Sequence, residues 1–250
     1  AGDVVDAIEQ LFGPATPRSD TMPARPDTSF PIDTEAAFAL HADPDQTSVD
    51  VEVDLPIPAI GGAGTAQLRT SVLDQLIYTT LIRRLDQDVS SGVAPFDGIT
   101  NGTNSIVAAL DAPALYAFTT AERVDATLQS LLDEYERANR YGFTADEIET
   151  AKSSVQAGLD ARYDGRNTKS DPEFADEYVD HFLTGAPYPD VAEFYDASEA
   201  LIAAIDHDAI DARFRARWAN SAPHVLISAP TAQADQMPTE AEVLALIEAL

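Results

Sequence analysis

The chain has 250 residues, of which 45% are hydrophobic, so it can bury the core of one large domain or two small ones. Its 43 Asp and Glu residues outnumber 15 Lys and Arg residues, which gives a formal net charge of −28 at pH 7. This charge argues against a nucleic-acid partner, because phosphate binding requires a basic surface. The lack of cysteine excludes disulfides, zinc–thiolate sites and cysteine nucleophiles. No apolar run reaches the roughly 18 residues that a membrane-spanning helix needs.

The first half of the chain is predicted to alternate between helices and strands. Apolar residues at helical spacing predict a helix that ends at Gly13-Pro14, and five prolines within residues 14–31 indicate an extended connector. Asn101-Gly102 is predicted to be the turn of a hairpin. The segments that follow the connector are predicted to be strands, except for the long helix Thr65–Asp88 with its glycine-rich entry Gly61–Gly64: Ala36–Ala42, Thr47–Leu55, Val93–Thr100, Ser105–Leu110 and Ala114–Thr119.

The second half is predicted to be mostly helical. Two capping boxes, Thr144 with Glu147 and Thr239 with Glu242, indicate helix starts. Clustered helices beside grouped strands predict an α+β fold, in which an antiparallel sheet is covered on one face. The remaining predicted elements are helices, apart from one closing strand at 223–228: Val124–Tyr135, Asp171–Leu183, Asp190–Ile205 and His207–Trp218.

No side-chain constellation in the sequence predicts a catalytic metal. A catalytic zinc site needs three protein ligands, and neither His-x-x-Glu-His nor His-Glu-x-x-His is present. Glu177 and His181 stand one helical turn apart but lack a third ligand, so a surface histidine is the better interpretation. We therefore assign no catalytic and no metal-ligating residue. The chain has four histidines: His41, His181, His207 and His224.

Three aromatic residues share one face of a predicted helix, since Phe174, Tyr178 and Phe182 are spaced four residues apart. Core packing is the expected explanation of this stripe. The functional alternative is a groove wall that holds a peptide. Pairs of carboxylates are also frequent, but 43 acidic residues make chance pairs inevitable, and none can be singled out as an acid–base dyad.

Several runs, taken together in this order and spacing, resemble segments of one family: Ala1–Gly13, Tyr141–Lys152, Asp176–Gly185, Pro223–Pro230 and Pro238–Glu242. The second run is similar to the helix entry G-F-T-x-x-E-L-x-x-A-K of that family. The family is that of pitrilysin and insulinase, the inverzincin zinc peptidases. The chain resembles the second domain of its long bacterial members, which follows the domain that carries the zinc motif.

The resemblance implies an α+β, insulinase-like domain with a mostly antiparallel sheet of about five or six strands and helices on one face. Residues 1–235 would form a single domain, and residues 236–250 would form a linker helix toward a following domain. The function implied is that of a non-catalytic domain in a zinc-dependent endopeptidase. It would support the zinc-bearing domain and form part of the peptide-binding chamber.

The resemblance also bears on cofactor, partners and compartment. It implies that this segment binds no cofactor, that another domain of the parent protein binds zinc, and that the partners are those neighbouring domains and a peptide substrate. A partner nucleic acid and a membrane span are not expected. Between bacterial periplasm and cytoplasm, we favour the periplasm.

Four residues are candidates for facing the chamber: Arg84, Phe96, Tyr178 and Phe182. Arg84 matches the opening of the family pattern R-L-x-x-x-x-R-x-x-x-G-x-x-Y, whose Arg and Tyr orient substrate. Ser90 stands where that Arg is expected, and Phe96 lies near the Tyr position. The substrate-orienting pair is therefore absent from this sequence, and no catalytic role is transferred.

Two other functions remain open at this level. One is a catalytically inactive scaffold or assembly protein of the same family, which differs from the peptidase in lacking His-x-x-Glu-His in the parent sequence. The other is an independent enzyme that uses carboxylates or a surface histidine. A deep pocket with two acids of raised pKa would favour that enzyme.

Overall fold

A computed structural model describes residues 2–16, 35–59, 64–107, 110–184 and 188–250, without the side chains of residues 105–107 and 184. Most of the proline-rich connector and residues 61–63 of the glycine-rich entry lie outside these ranges. The helices within the described ranges are α1 (Gly2–Phe12), α2 (Thr65–Ser91), α3 (Val124–Tyr141), α4 (Ala145–Asp164), α5 (Asp171–Thr184), α6 (Val191–Ala204), α7 (His207–Asn220) and α8 (Glu240–Glu248).

The strands form one six-stranded mixed sheet. They are β1 (Ala37–Asp43), β2 (Val49–Asp54), β3 (Ile57–Pro58), β4 (Gly98–Val107), β5 (Leu110–Thr119) and β6 (His224–Pro230). The strand order is β1-β6-β2-β5-β3, and β4 also pairs with β5. Only the β1–β6 pair is parallel among these pairings. The predicted α+β fold with a mostly antiparallel sheet is therefore confirmed.

The helices pack on one face of this sheet because β2 alternates between apolar and acidic residues. Val49, Val51 and Val53 are at most 2% exposed and belong to the hydrophobic core that the helices complete. The intervening side chains of β2 point to the opposite face, since successive residues of a strand alternate in direction. Strand β2 thus contributes to the hydrophobic core on one face of the sheet and to a polar cluster on the other.

The predicted hairpin turn at Asn101-Gly102 is wrong, because both residues lie inside β4. Asn101 pairs with Leu115 and Gly102 pairs with Ala114 on β5. Glycine suits this position, since a Cβ at Gly102 would lie 3.2 Å from the ring of Tyr116, which is closer than an ordinary van der Waals contact. Residues 93–97, which were predicted to begin a strand, precede β4 and lie outside it.

The Tyr-Gly-Phe-Thr run between α3 and α4 forms a compact helix–helix junction. Gly142 ends α3 with φ of +68°, and its position faces the carboxylate of Asp211 on α7. That carboxylate accepts a hydrogen bond of 3.1 Å from the Phe143 backbone N–H. The next residue, Thr144, caps α4 in a capping box with Glu147, and the Thr239–Glu242 box is present on α8. Both predicted capping boxes are confirmed.

Arg84 joins three helices through hydrogen bonds. Its guanidinium on α2 donates to Glu134 on α3 at 2.8 Å and to both carboxylate oxygens of Glu147 on α4, at 2.7 and 2.8 Å. It also donates to the Gly142 backbone carbonyl and lies 4.9 Å from the centre of the Phe143 ring. The side chains of Arg84 and Glu134 are 9% and 7% exposed, so this ion pair is buried.

The tail helix α8 packs on the domain. Its Val243 is fully buried in the core, and α8 lies against β1. Leu250 also contacts the domain, because Arg140 on α3 donates a hydrogen bond of 2.6 Å to the Leu250 carbonyl. The expectation that another domain follows residue 250 stays a prediction.

Replacing Arg84 by Met is expected to lower the free energy of unfolding by about 3 kcal/mol, because the buried Glu134 would lose its shorter ion pair and keep only the exposed Arg137, at 3.3 Å. Urea denaturation at pH 7 measures this loss. The matched control is Arg83→Met, since Arg83 is the exposed neighbour on the same helix and should change stability by less than about 0.5 kcal/mol. Equal losses in the two variants would contradict the role assigned to Arg84.

Gly142→Ala is expected to destabilise the chain by about 3 kcal/mol, combining left-handed backbone strain with a steric clash. The new Cβ would lie 2.1 Å from Asp211 Oδ2. Gly158→Ala in α4 serves as control, because nothing lies within 4 Å of a Cβ there and alanine favours a helix interior. Thermal unfolding should show a lower midpoint for the first variant and a slightly higher one for the second. A Gly142→Ala protein as stable as the parent would rule out this explanation of the junction.

Candidate functional site

The candidate site is a polar cluster on the sheet face opposite the helices. Glu52 and Asp54 lie two residues apart on β2 and therefore point the same way. Their cross-strand neighbours complete the cluster: Glu52 pairs with Tyr116 on β5, and Asp54 pairs with His224 on β6. Asn104 on β4 reaches the same group from the other side of β5.

Hydrogen bonds hold one of the two carboxylates in place. Asn104 Nδ2 donates to Glu52 Oε1, and the Glu52 residue is only 9% exposed. Asp54 is held less firmly. Its Oδ1 atom is buried and lies 3.9 Å from Nδ1 of His224, and within the described chain it accepts no hydrogen bond. The cluster therefore contains one fixed carboxylate and one with spare hydrogen-bonding capacity.

Burial makes both acids harder to ionise. Loss of solvation raises the pKa of Asp54 to about 7, and the neighbouring charge of Glu52 adds to this effect. Burial also raises the pKa of Glu52, although hydrogen bonds from Tyr116 and Asn104 oppose the change. The pKa of Tyr116 is raised to about 12 by burial and by the adjacent Glu52. The cluster can therefore hold a proton near neutral pH or pair with a cationic group.

In the described part of the chain, no three His, Asp or Glu side chains are placed so that they could share a metal ion. The four histidines lie on four different elements: His41 on β1, His181 on α5, His207 on α7 and His224 on β6. A hydrogen bond between the His207 ring and the Phe143 carbonyl raises the pKa of His207. This contact fixes the start of α7 against the α3–α4 junction.

The four candidate chamber residues fall into two groups. Arg84 and Phe96 lie in the interior, where Arg84 makes the helix-joining contacts described above and Phe96 is 3% exposed. Tyr178 and Phe182 lie on α5 and are 55% and 82% exposed. The structure does not bring the two groups to one surface, and contact between any of them and a peptide stays a prediction.

Core packing of the α5 aromatic stripe, which the spacing predicted, is wrong. None of the α5 residues whose side chains are described is buried. Phe174 is covered by the Lys169 ammonium group, 4.8 Å from the ring centre, and Tyr178 lies 4.9 Å from the ring of Tyr188. Aromatic residues repeated at helical spacing show that a helix has an apolar face, but they do not show what covers that face.

Sequence reasoning did not single out Glu52, Asp54 and His224 as a group. A usable signal was present in the run Val-Asp-Val-Glu-Val-Asp of β2, where acidic residues alternate with valine. This pattern places the acids on one face of a strand. The partner His224 could not be found in this way, because it is 170 residues away in sequence and joins the group only through strand pairing.

The described helices include none with the length and apolar character required to cross a membrane. No protein-family profile and no curated protein matches the sequence. Solved structures do match it, and they define the class of fold. The chain has the fold of a domain of insulinase-family peptidases, as the sequence resemblance predicted.

The whole chain is similar to part of the first half of the periplasmic protease PqqL from Escherichia coli, with a TM-score of 0.80 and 14% identity. It covers 53% of that structure. A predicted insulinase family protease from Yersinia pestis matches 98% of the chain over 52% of its own length, with a TM-score of 0.77 and 12% identity. An inactive peptidase domain from Pseudomonas fluorescens matches 92% of the chain over 51% of its own length, with a TM-score of 0.62 and 15% identity. The chain thus spans about half the length of these structures.

Asp54→Asn should stabilise the protein at pH 8 by about 2 kcal/mol, roughly half of what a shift of three pKa units corresponds to. The folded chain retains the Asp54 proton up to a pKa of about 7, whereas the unfolded chain releases it near 3.8. Stability therefore falls as pH rises through this window, and the advantage of the variant should vanish near pH 3.5. Urea denaturation at pH 3.5, 6 and 8 measures the effect.

The control for this experiment is Asp50→Asn, at the edge of the same face. Gln46 and Ser48 donate hydrogen bonds to the Asp50 carboxylate, at 2.7 and 3.0 Å, so the substitution should give no gain at pH 8. An equal gain in both variants would mean that general relief of the acidic net charge, rather than burial of Asp54, is responsible.

Proposed function

We propose that this chain is a non-catalytic domain of a zinc-dependent endopeptidase, in which another domain binds the zinc ion. The observation that carries the proposal is the likeness of the whole chain to part of the first half of a periplasmic protease. The absence of His-x-x-Glu-His from this sequence supports it. In this role the chain supports the zinc-bearing domain and contributes a wall to the chamber in which peptides are hydrolysed.

The apolar face of α1 is the surface that we assign to contact with the zinc-bearing domain. Its five large apolar side chains are 52% to 74% exposed: Val4, Val5, Ile8, Leu11 and Phe12. A short amphipathic helix with this much exposed apolar surface gains stability by burying it against a neighbour. The E. coli structure extends well beyond the part that this chain matches, so such a neighbour is expected in the parent protein.

Substrate contact is assigned to α5, where Tyr178 and Phe182 are exposed. Aromatic side chains provide large apolar contact area for an extended peptide. The net charge of −28 favours cationic peptides in such a chamber, because attraction between opposite charges raises their local concentration. We propose the periplasm as the compartment of the parent protein, and the likeness to a periplasmic protease supports this proposal.

The test compares this chain with the longer protein that contains it. Zinc content and hydrolysis of an unfolded cationic peptide are measured for each. We expect the chain alone to bind no stoichiometric zinc and to cleave nothing, whereas the longer protein should show activity that a chelator abolishes. Ile8→Asp in α1 should reduce that activity at least tenfold, since a charge would be buried at the domain contact.

Gln10→Asp is the matched control, because it introduces the same carboxylate two residues away on α1, outside the apolar stripe. It should leave activity within about twofold of the parent. Stoichiometric zinc in the isolated chain would overturn the proposal. A longer protein without chelator-sensitive hydrolysis would instead identify the inactive scaffold of the same fold.

A further inference from the structure

A pocket of about 160 Å³ lies among three helices, away from the polar cluster of the sheet. One face of α2, one face of α4 and one face of α6 form its walls. Its volume is close to that of a cavity that accommodates benzene. The pocket can therefore accept a compact apolar group, such as a phenyl ring or a branched aliphatic chain.

The walls are mostly apolar, and one of the lining residues is a glycine. Leu68 and Val72 come from α2, Val155 and Leu159 from α4, and Ile202 from α6. The middle of the α4 wall is Gly158, where nothing lies within 4 Å of the position that a Cβ would occupy. Because Gly158 lines the pocket, we expect a large side chain at this position to occupy part of that space. Glycine is costly inside a helix, so its presence here preserves the pocket at the expense of helix stability.

A buried hydroxyl without a partner lines the same pocket. Ser198 on α6 is 4% exposed, and its Oγ atom forms no hydrogen bond within the described chain. Leaving a buried hydroxyl unsatisfied costs about 1–3 kcal/mol. A ligand that offers an acceptor or donor to Ser198 recovers this cost, so the hydroxyl indicates a polar atom on the ligand.

A cation lies beside the apolar space. Arg162 lines the pocket, and its guanidinium stacks on Phe194, 4.9 Å from the ring centre. Among the described residues Arg162 forms no ion pair. The acid two residues before it, Asp160, instead accepts hydrogen bonds of 2.8 Å from Tyr195 and from Gln156. The guanidinium is therefore available to an anion, although the protein as a whole is strongly acidic.

We propose that this pocket binds a carboxylate carried on a compact apolar group. The apolar group fills the space beside Gly158, the carboxylate pairs with Arg162, and Ser198 forms a hydrogen bond with a polar atom of the ligand. Arginine suits this role because its planar guanidinium binds both oxygens of a carboxylate. The ligand is either a small free acid or the C-terminal residue of a peptide, which present the same chemistry. This site is independent of the proposed peptidase role.

Binding is measured by NMR titration and thermal shift at 150 mM salt, where screening limits the effect of the distant acidic residues. The probes are 3-phenylpropionate and its neutral amide. A pentapeptide that ends in Phe, as free acid and as amide, tests the second source. We expect at least one acid to bind saturably with Kd on the order of 1 mM, and its amide to bind at least fivefold more weakly. Binding of 3-phenylpropionate would identify a small free acid as the ligand, and binding of the peptide acid alone would identify a peptide C-terminus.

Three variants test the pocket itself. Gly158→Leu should abolish binding while raising the unfolding midpoint, since leucine fills the space and favours the helix. Arg162→Gln should weaken binding of the acid five- to tenfold. Ser198→Ala should weaken it and at the same time stabilise the unliganded protein, because the unsatisfied hydroxyl is removed. The control is Arg166→Gln, one turn further along the chain and outside the pocket, which should bind like the parent.

Three results would overturn the proposal. One is equal binding of acid and amide, which would show that Arg162 recognises no carboxylate. Another is saturable binding that survives Gly158→Leu, which would place the ligand elsewhere. The third is failure of both acids to bind, whatever the outcome of the peptidase test.

Discussion

The buried ion pairs of Arg84 constrain the helical layer of this domain. A guanidinium that is 9% exposed must satisfy its donors inside the protein, and it does so with two carboxylates and one backbone carbonyl from α3, α4 and the junction between them. These bonds set the positions of α3 and α4 relative to α2. The pocket among α2, α4 and α6 depends on the same spacing, although Arg84 is not part of it.

Strand β2 contributes apolar side chains to one face of the sheet and acidic side chains to the other. The valines of β2 belong to the apolar core, while Glu52 and Asp54 lie on the opposite face. Burial raises the pKa of both acids, and the charge of Glu52 raises the pKa of Asp54 further. A cluster of this kind stores a proton near neutral pH, which a surface carboxylate with ordinary solvation does not do.

The fold of this chain does not by itself determine its function. The fold is that of insulinase-family peptidase domains, whereas the described residues bring no three metal ligands together. A fold accommodates many functions, and function is decided by the site that it carries. What this chain presents is surface: an apolar stripe on α1, exposed aromatic residues on α5, and a small pocket with an arginine at its edge.

The sequence by itself determined the features that depend on neighbouring residues. The capping boxes at Thr144 and Thr239 are local hydrogen-bond patterns, and they form as expected. The α+β class followed from the order of strand and helix patterns, and the family resemblance agreed with it. The alternation in β2 also fixed which of its residues share a face.

Only the tertiary structure decided the features that join distant parts of the chain. Asn101-Gly102 has the composition of a turn, but pairing with β5 and the approach of the Tyr116 ring make it part of a strand. The α5 stripe has the period of a core helix, yet no described element buries it. His224 meets Asp54, and Arg84 meets Glu134, through contacts between segments far apart in sequence. Local sequence patterns specify the direction of side chains in a strand and their spacing along a helix. Whether a side chain is buried, and which residue it contacts, depends on which elements pack together.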